Sequence, residues 1–199
     1  LYTWAFFIGK MMIRLIVGLG NPGREYADTR HNAGFWCVEA WARKLGATFS
    51  LESKYFAELA KIKIGQQDLF LLKPQTYMNL SGKSVHTLAN FYKIQPEEIL
   101  VVHDELDFKP GTTKLKQGGG NGGHNGLKDI DRVIGKNYWR VRIGIGHPGD
   151  ASKVAGYVLN NPTLDDKIEI ERNIDKVLSV GEALISGDFA NAQKILHTK

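Results

Sequence analysis

The sequence contains one cysteine, Cys37, among 199 residues. A single cysteine excludes an internal disulfide framework and a cysteine-based zinc cluster, and it is typical of a protein from a reducing compartment. Cys37 falls on the apolar side of a predicted helix, so we expect it to pack in the core. No apolar run approaches the roughly 18 to 20 residues that a membrane-spanning helix needs. We therefore expect a soluble, cytoplasmic protein without membrane contact.

Two common hydrolytic motifs are also missing. There is no G-x-S-x-G sequence, which excludes the usual serine nucleophile of an α/β-hydrolase. There is no H-E-x-x-H sequence or comparable ligand spacing, although His103, Asp104, Asp107 and His124 are potential metal ligands. We predict no metal site and no cofactor.

Length and composition indicate one globular domain. The chain is 43% hydrophobic and 24% charged, which is enough to build a sizeable core. The net charge of +5 permits a nucleic-acid partner without requiring one. Residues 1–11 are interpreted as an N-terminal extension or expression remnant, and residues 12–199 as the domain.

The region around residues 14–34 organises the chain. Residues 15–17 predict a strand buried on both faces, followed by Gly18-x-Gly20-x-x-Gly23. This spacing satisfies a dinucleotide-binding fingerprint, which requires its last glycine to open a helix. Pro22 stands directly before that glycine and several polar residues follow it, so the pattern favours a glycine turn at the edge of an active site.

Strands alternate with helices along the rest of the chain. Strands are predicted at 56–64, 69–72, 99–102, 112–116 and 139–145, and helices follow residues 34, 82 and 126 and fill the C-terminal third. This alternation predicts an α/β single domain with a twisted, mixed, mostly parallel sheet covered by helices on both faces. Because Asn21 and Asp104 both follow buried strands, we expect them at the same edge of the sheet.

Basic residues cluster on the predicted strand at 112–116. Lys114 and Lys116 share one face because side chains alternate along a strand, and Arg142 follows on the last strand. We interpret these three residues as a phosphate clamp, and the alternative is a solvated edge strand. The glycine-rich segment 117–126 is predicted to be a mobile lid or a loop that approaches phosphate.

Several long motifs resemble those of the bacterial peptidyl-tRNA hydrolase family, and the resemblance covers roughly Met12 to the C-terminus. The motifs are GLGNPG at 18–23 with Tyr26, TRHNAG at 29–34, KPQTYMNLSG at 73–82, HDELD at 103–107, GGHNGL at 122–127 and RIGIGHPG at 142–149. The resemblance implies metal-free hydrolysis of the ester that joins a peptide to the terminal ribose of tRNA. It also implies a monomeric cytoplasmic enzyme that recycles tRNA.

The residues themselves point to a water nucleophile, since no activated serine or cysteine is evident. His31 is the best candidate base because imidazole titrates near neutral pH, and Asp104 would orient it. The resemblance assigns Asn21 and Asn79 to holding the water and the substrate. It implies further substrate contacts by Tyr26, Asn32, Tyr77, Met78, His124 and Asn125.

Two other functions stay open on the sequence alone. One is a non-catalytic RNA-binding protein on the same scaffold, similar to the splicing cofactors among relatives of this family. Retention of His31 and Asp104 disfavours it. The other is an acyl or peptide hydrolase whose substrate contains no RNA, which the paired lysines Lys114 and Lys116 disfavour.

Overall fold

Seven strands form one mixed sheet within residues 11–198, the part of the chain that the computed structural model describes. The strands are β1 (Leu15–Gly18), β2 (Ser50–Glu52), β3 (Ala57–Ile64), β4 (Gln67–Pro74), β5 (Ile99–Glu105), β6 (Thr113–Gln117) and β7 (Trp139–Gly144). Their order is β2-β3-β4-β1-β5-β7-β6. The four central strands are parallel, and the outer pairings are antiparallel. The predicted α/β class is confirmed.

Helices cover both faces of the sheet. They are α1 (Ala33–Leu45), α2 (Ser81–Tyr92), α3 (Asn125–Ile134), α4 (Val154–Val158), α5 (Leu164–Ser179), α6 (Gly181–Ser186) and α7 (Phe189–Leu196). Apolar residues of α1 and of α4 to α7 pack in one core cluster, and those of α2 and α3 pack in the other. Successive residues of β5 alternate between the two clusters, which explains why its apolar run is continuous.

Helix α1 ends where the sequence predicts. Gly46 follows it with a φ of 70°, the left-handed conformation that glycine adopts at little cost. Cys37 in this helix is fully buried, and burial raises the pKa of its thiol to about 12. The expectation that Cys37 packs in the core is therefore confirmed.

Met11, the first residue that the structure describes, packs in the core. Residues 1–10, most of the predicted extension, lie outside the described residues. Met11, the last residue of the predicted extension, belongs to the folded domain instead, because it is only 2% exposed and packs among core residues. Its amide donates a hydrogen bond to Oε1 of Gln67. No helix within residues 11–198 has the length and apolar character needed to cross a membrane.

The glycine pattern at 18–23 does not open a helix. A 3₁₀ turn, Arg24–Tyr26, follows Gly23, and α1 begins only at Ala33. A Cβ at Gly18 would lie 2.4 Å from the carbonyl oxygen of Gly34, so this glycine allows α1 to approach β1 closely. The segment after Gly23 therefore lacks the α-helix N-terminus that a dinucleotide-binding fingerprint requires.

Candidate active site

Asp104 lies at the carboxyl end of β5 and accepts hydrogen bonds from two histidines. Its Oδ2 is 2.9 Å from Nδ1 of His31, and its Oδ1 is 2.8 Å from Nε2 of His124. The carboxylate is 3% exposed. The structure thus joins the two predicted catalytic residues and adds His124 to them.

The hydrogen bond to Asp104 determines the useful tautomer of His31. An ionised carboxylate only accepts hydrogen bonds, so Nδ1 carries the proton and Nε2 is left with its lone pair. Burial by itself would lower the pKa of His31, but attraction and hydrogen bonding to Asp104 outweigh burial and raise the pKa. His31 lies in a 3₁₀ turn, Arg30–Asn32, which α1 continues.

His124 is held in the opposite tautomer. Its Nδ1 accepts a hydrogen bond from the amide of Gly126 at 3.1 Å, which caps the first turn of α3. Its proton therefore lies on Nε2 and is donated to Asp104. The sequence resemblance implied a substrate contact for His124, but its capping role and its bond to Asp104 were missed.

The charge of Asp104 is maintained although the group is buried. Burial alone would raise its pKa, but the two histidine partners lower the pKa below the ordinary value. The neighbouring His103 donates from Nδ1 to the carbonyl oxygen of Asp104. Burial is the largest cause that lowers the pKa of His103, to about 3, so its ring stays neutral near pH 7.

Asn21 follows β1 and contacts the loop after β4. Its Oδ1 accepts a 2.7 Å hydrogen bond from the amide of Met78. Its backbone N–H and C=O both bond to the side chain of Asn32. Among residues 11–198, Nδ2 of Asn21 has no hydrogen-bond partner, so this N–H₂ group is available to a bound molecule.

His31 lines two clefts. The first, about 260 Å³, is lined by Asn21, Tyr26, His31, Tyr77, Met78, Asn79, Asn125 and three residues of α4 and its end. The second, about 460 Å³, is lined by His31, Asp104, Glu105, Asp107, His124, Asn125, His147 and neighbouring residues. All the predicted catalytic and substrate residues line a cleft except Asn32, which supports Asn21.

A further cavity, about 500 Å³, is lined by Asn21 and Asn32 on one part of its wall and does not include His31, Asp104 or His124. Lys73 lies on its wall and contacts Glu39 at 3.0 Å and Glu58 at 2.6 Å. The buried cation of Lys73 therefore already has two carboxylate partners.

The three predicted phosphate-binding residues lie on the antiparallel strands β6 and β7. Lys114 is directly opposite Arg142, and both cations lie within 5.0 Å of the centre of the Phe108 ring. Arg142 also approaches Glu105 at 3.9 Å, and burial lowers its pKa. Lys116 is exposed at the same face of the sheet, so the three cations form one basic surface.

Arg140 anchors the glycine-rich loop, a role that sequence reasoning missed. Its side chain is 4% exposed and donates hydrogen bonds to the carbonyl oxygens of Gly118 and Gly120. Backbone carbonyls carry no sequence signal, so only the path of the loop reveals the partner. The predicted motion of this loop stays a prediction.

The ligand atoms of His31, Asp104 and His124 all lie within 4.8 Å of one another. Three separate segments supply them, which is why spacing along the sequence did not show this group. Nδ1 of His31 and Nε2 of His124 each donate a hydrogen bond to the Asp104 carboxylate. The two nitrogens bond to different carboxylate oxygens. The hydrogen bonds account for the arrangement without a metal ion.

Comparisons with known proteins identify what the chain is similar to. A family model described as peptidyl-tRNA hydrolase matches residues 15–199. Peptidyl-tRNA hydrolase of Delftia acidovorans is 54% identical over 94% of this chain and 91% of its own length. The Neisseria gonorrhoeae protein of that name is 53% identical, over 94% and 98%. The crystal structure of peptidyl-tRNA hydrolase from Acinetobacter baumannii is 48% identical, with a TM-score of 0.92 over 94% of this chain and 96% of that one.

Proposed function

Because this chain belongs to the peptidyl-tRNA hydrolase family, and so hydrolyses the ester bond of peptidyl-tRNA, we propose that His31 is the general base of the reaction. The observation that carries this proposal is the bond from Nδ1 of His31 to Asp104, which leaves Nε2 free to accept a proton. The non-catalytic RNA-binding alternative is not favoured by this family membership.

In the proposed mechanism, Nε2 of His31 removes a proton from a water molecule as its oxygen attacks the ester carbonyl. The resulting imidazolium is stabilised by the buried negative charge of Asp104. Nδ2 of Asn21 and the side chain of Asn79 supply hydrogen bonds to the water and to the developing oxyanion. As the tetrahedral intermediate collapses, the C–O bond to the ribose breaks, and the ribose oxygen takes the proton from His31.

The two clefts receive the two parts of the substrate in this proposal. The second cleft is connected to the basic surface because Glu105 lines it and contacts Arg142. We therefore assign the 3′ end of tRNA to this side, with its phosphates on Lys114, Lys116 and Arg142. The peptide occupies the first cleft, where Tyr26, Tyr77 and Met78 provide apolar contact.

We further propose that the enzyme acts as a monomer in the cytoplasm, with residues 12–199 as its catalytic domain. One chain supplies every residue of the proposed mechanism, which supports a monomer. The unpaired Cys37 suits a reducing compartment. Sedimentation at micromolar concentration should give a single species of about 22.2 kDa.

The test compares intact peptidyl-tRNA with the same peptide esterified to free adenosine. We expect the wild-type enzyme to hydrolyse the tRNA substrate with much the higher kcat/KM, and His31→Ala to lose turnover on both. Equal kcat/KM values for the two esters would show that the enzyme does not recognise the tRNA part of its substrate. Unchanged turnover by His31→Ala would contradict the assignment of the base.

A further inference from the structure

We infer that Asp129, which lines neither cleft, is a positioning residue for the hydrolytic reaction. It holds the loop that carries Met78 and Asn79 against the start of α3, which carries His124 and Asn125. This inference rests on the proposed function, because it concerns the geometry of residues assigned to the substrate and its water.

The contact that carries the inference joins α3 to α2. Asp129 lies on α3, is 9% exposed, and accepts a 2.8 Å hydrogen bond at Oδ2 from the amide of Gly82. Gly82 is in the first turn of α2, where amides have no partner within their own helix. A buried carboxylate thus satisfies an amide that would otherwise be unpaired, and it does so from a different helix.

Further hydrogen bonds continue from the start of α2 to the active site. Oγ of Ser81 donates to the carbonyl oxygen of Met78 at 2.7 Å. The amide of Met78 donates to Oδ1 of Asn21 at 2.7 Å. Asp129 is therefore linked to Asn21 through one short stretch of backbone, residues 78–82, and all three side-chain contacts are buried.

Packing between the two helices leaves little room for adjustment. A Cβ at Gly82 would lie 2.5 Å from the backbone oxygen of Asp129, and a Cβ at Gly126 would lie 2.6 Å from Sδ of Met78. The contact at Gly82 is with backbone, so that glycine is needed for close approach, whereas a Cβ at Gly126 would push the side chain of Met78 aside. Movement of α2 relative to α3 would consequently displace Met78 and Asn79.

Loss of the carboxylate should affect the chemical step more than binding. The Asp129→Ala variant leaves the amide of Gly82 buried without its acceptor, and the loop at 78–80 is then free to shift. A displacement of about 1 Å at a catalytic group can lower the rate by about a hundredfold. The basic surface on β6 and β7 does not contact this hydrogen-bonded chain, so tRNA affinity should not change.

The experiment measures kcat, KM, tRNA affinity and melting temperature for Asp129→Ala and Asp129→Asn. We expect Asp129→Ala to lower kcat by roughly ten- to a hundredfold, with tRNA affinity within about twofold of wild type. Asp129→Asn retains an acceptor oxygen and should recover part of kcat. The acidic limb of the kcat profile should not move, because the pair of His31 and Asp104 is intact.

Tyr138→Phe is the matched control. The Tyr138 hydroxyl donates a 2.7 Å hydrogen bond to Asp131, also on α3, and neither residue lines the two clefts. This variant should lower the melting temperature and leave kcat unchanged. A folded Asp129→Ala protein with kcat within twofold of wild type would overturn the inference, as would a loss of kcat in Tyr138→Phe equal to that in Asp129→Ala. Failure of the proposed base would instead appear as full turnover in His31→Ala.

Discussion

Nδ1 of His31 lies 2.9 Å from Oδ2 of Asp104, although the two residues are 73 positions apart in the sequence. One comes from a 3₁₀ turn ahead of α1 and the other from the end of β5. The parallel pairing of β1 with β5 brings the two segments to the same edge of the sheet. This pair fixes the tautomer of His31, raises its pKa, and leaves Nε2 as the basic atom.

Replacement of His31 by alanine should remove most turnover. General-base catalysis is worth about 10² to 10⁴ in rate, so kcat should fall by that factor while tRNA affinity stays near wild type. The variant should fold with a stability loss of about 1–3 kcal/mol, because Asp104 loses one of its two donors. Single-turnover rates and a melting curve measure both effects. Turnover within a few-fold of wild type would refute the role of His31.

The lysines of β6 should act on binding. Lys114→Ala and Lys116→Ala should raise KM with little change in kcat, and each should flatten the dependence of log affinity on log salt by up to about one unit. Lys63→Ala is the control, because Lys63 is an exposed lysine on β3, away from the basic surface. If both β6 variants keep the wild-type salt slope, the lysines are only solvated surface.

Metal chelation should leave activity unchanged. The three potential ligands His31, Asp104 and His124 are already joined by hydrogen bonds, and the proposed mechanism needs no metal. Activity should be measured before and after dialysis against EDTA, with magnesium held constant in the assay to keep tRNA folded. Loss of activity that zinc or manganese restores would show that the trio binds a catalytic metal.

The sequence predicted the parts of the site that follow buried strands. The apolar run of β5 is unambiguous because each residue packs in a core cluster, so the position of Asp104 at its end was predictable. The same reasoning placed Asn21 after β1. The short strand β2 was missed, since two of its three residues are exposed and give no alternating pattern.

The remaining parts depend on contacts that the sequence does not encode locally. His124 caps the start of α3 and bonds to Asp104 on a different element, β5. Arg140 binds backbone carbonyls, which every residue possesses. The bond between Asp129 and Gly82 joins two helices that are distant in sequence. Such contacts follow from tertiary packing, and motif spacing cannot predict them.

The central claim is that Asp104 holds His31 as the base, and the pH dependence of kcat/KM in wild type and Asp104→Asn tests it most directly. The substitution keeps the size of the side chain, removes its charge, and presents an N–H₂ group that favours the wrong histidine tautomer.

A nearby negative charge favours protonated histidine and so raises its pKa; its removal lowers the pKa. We therefore expect the variant to lose most activity, to bind tRNA normally at fixed salt, and to show its acidic limb at lower pH than wild type. A variant with near-wild-type turnover and an unshifted acidic limb would contradict the account.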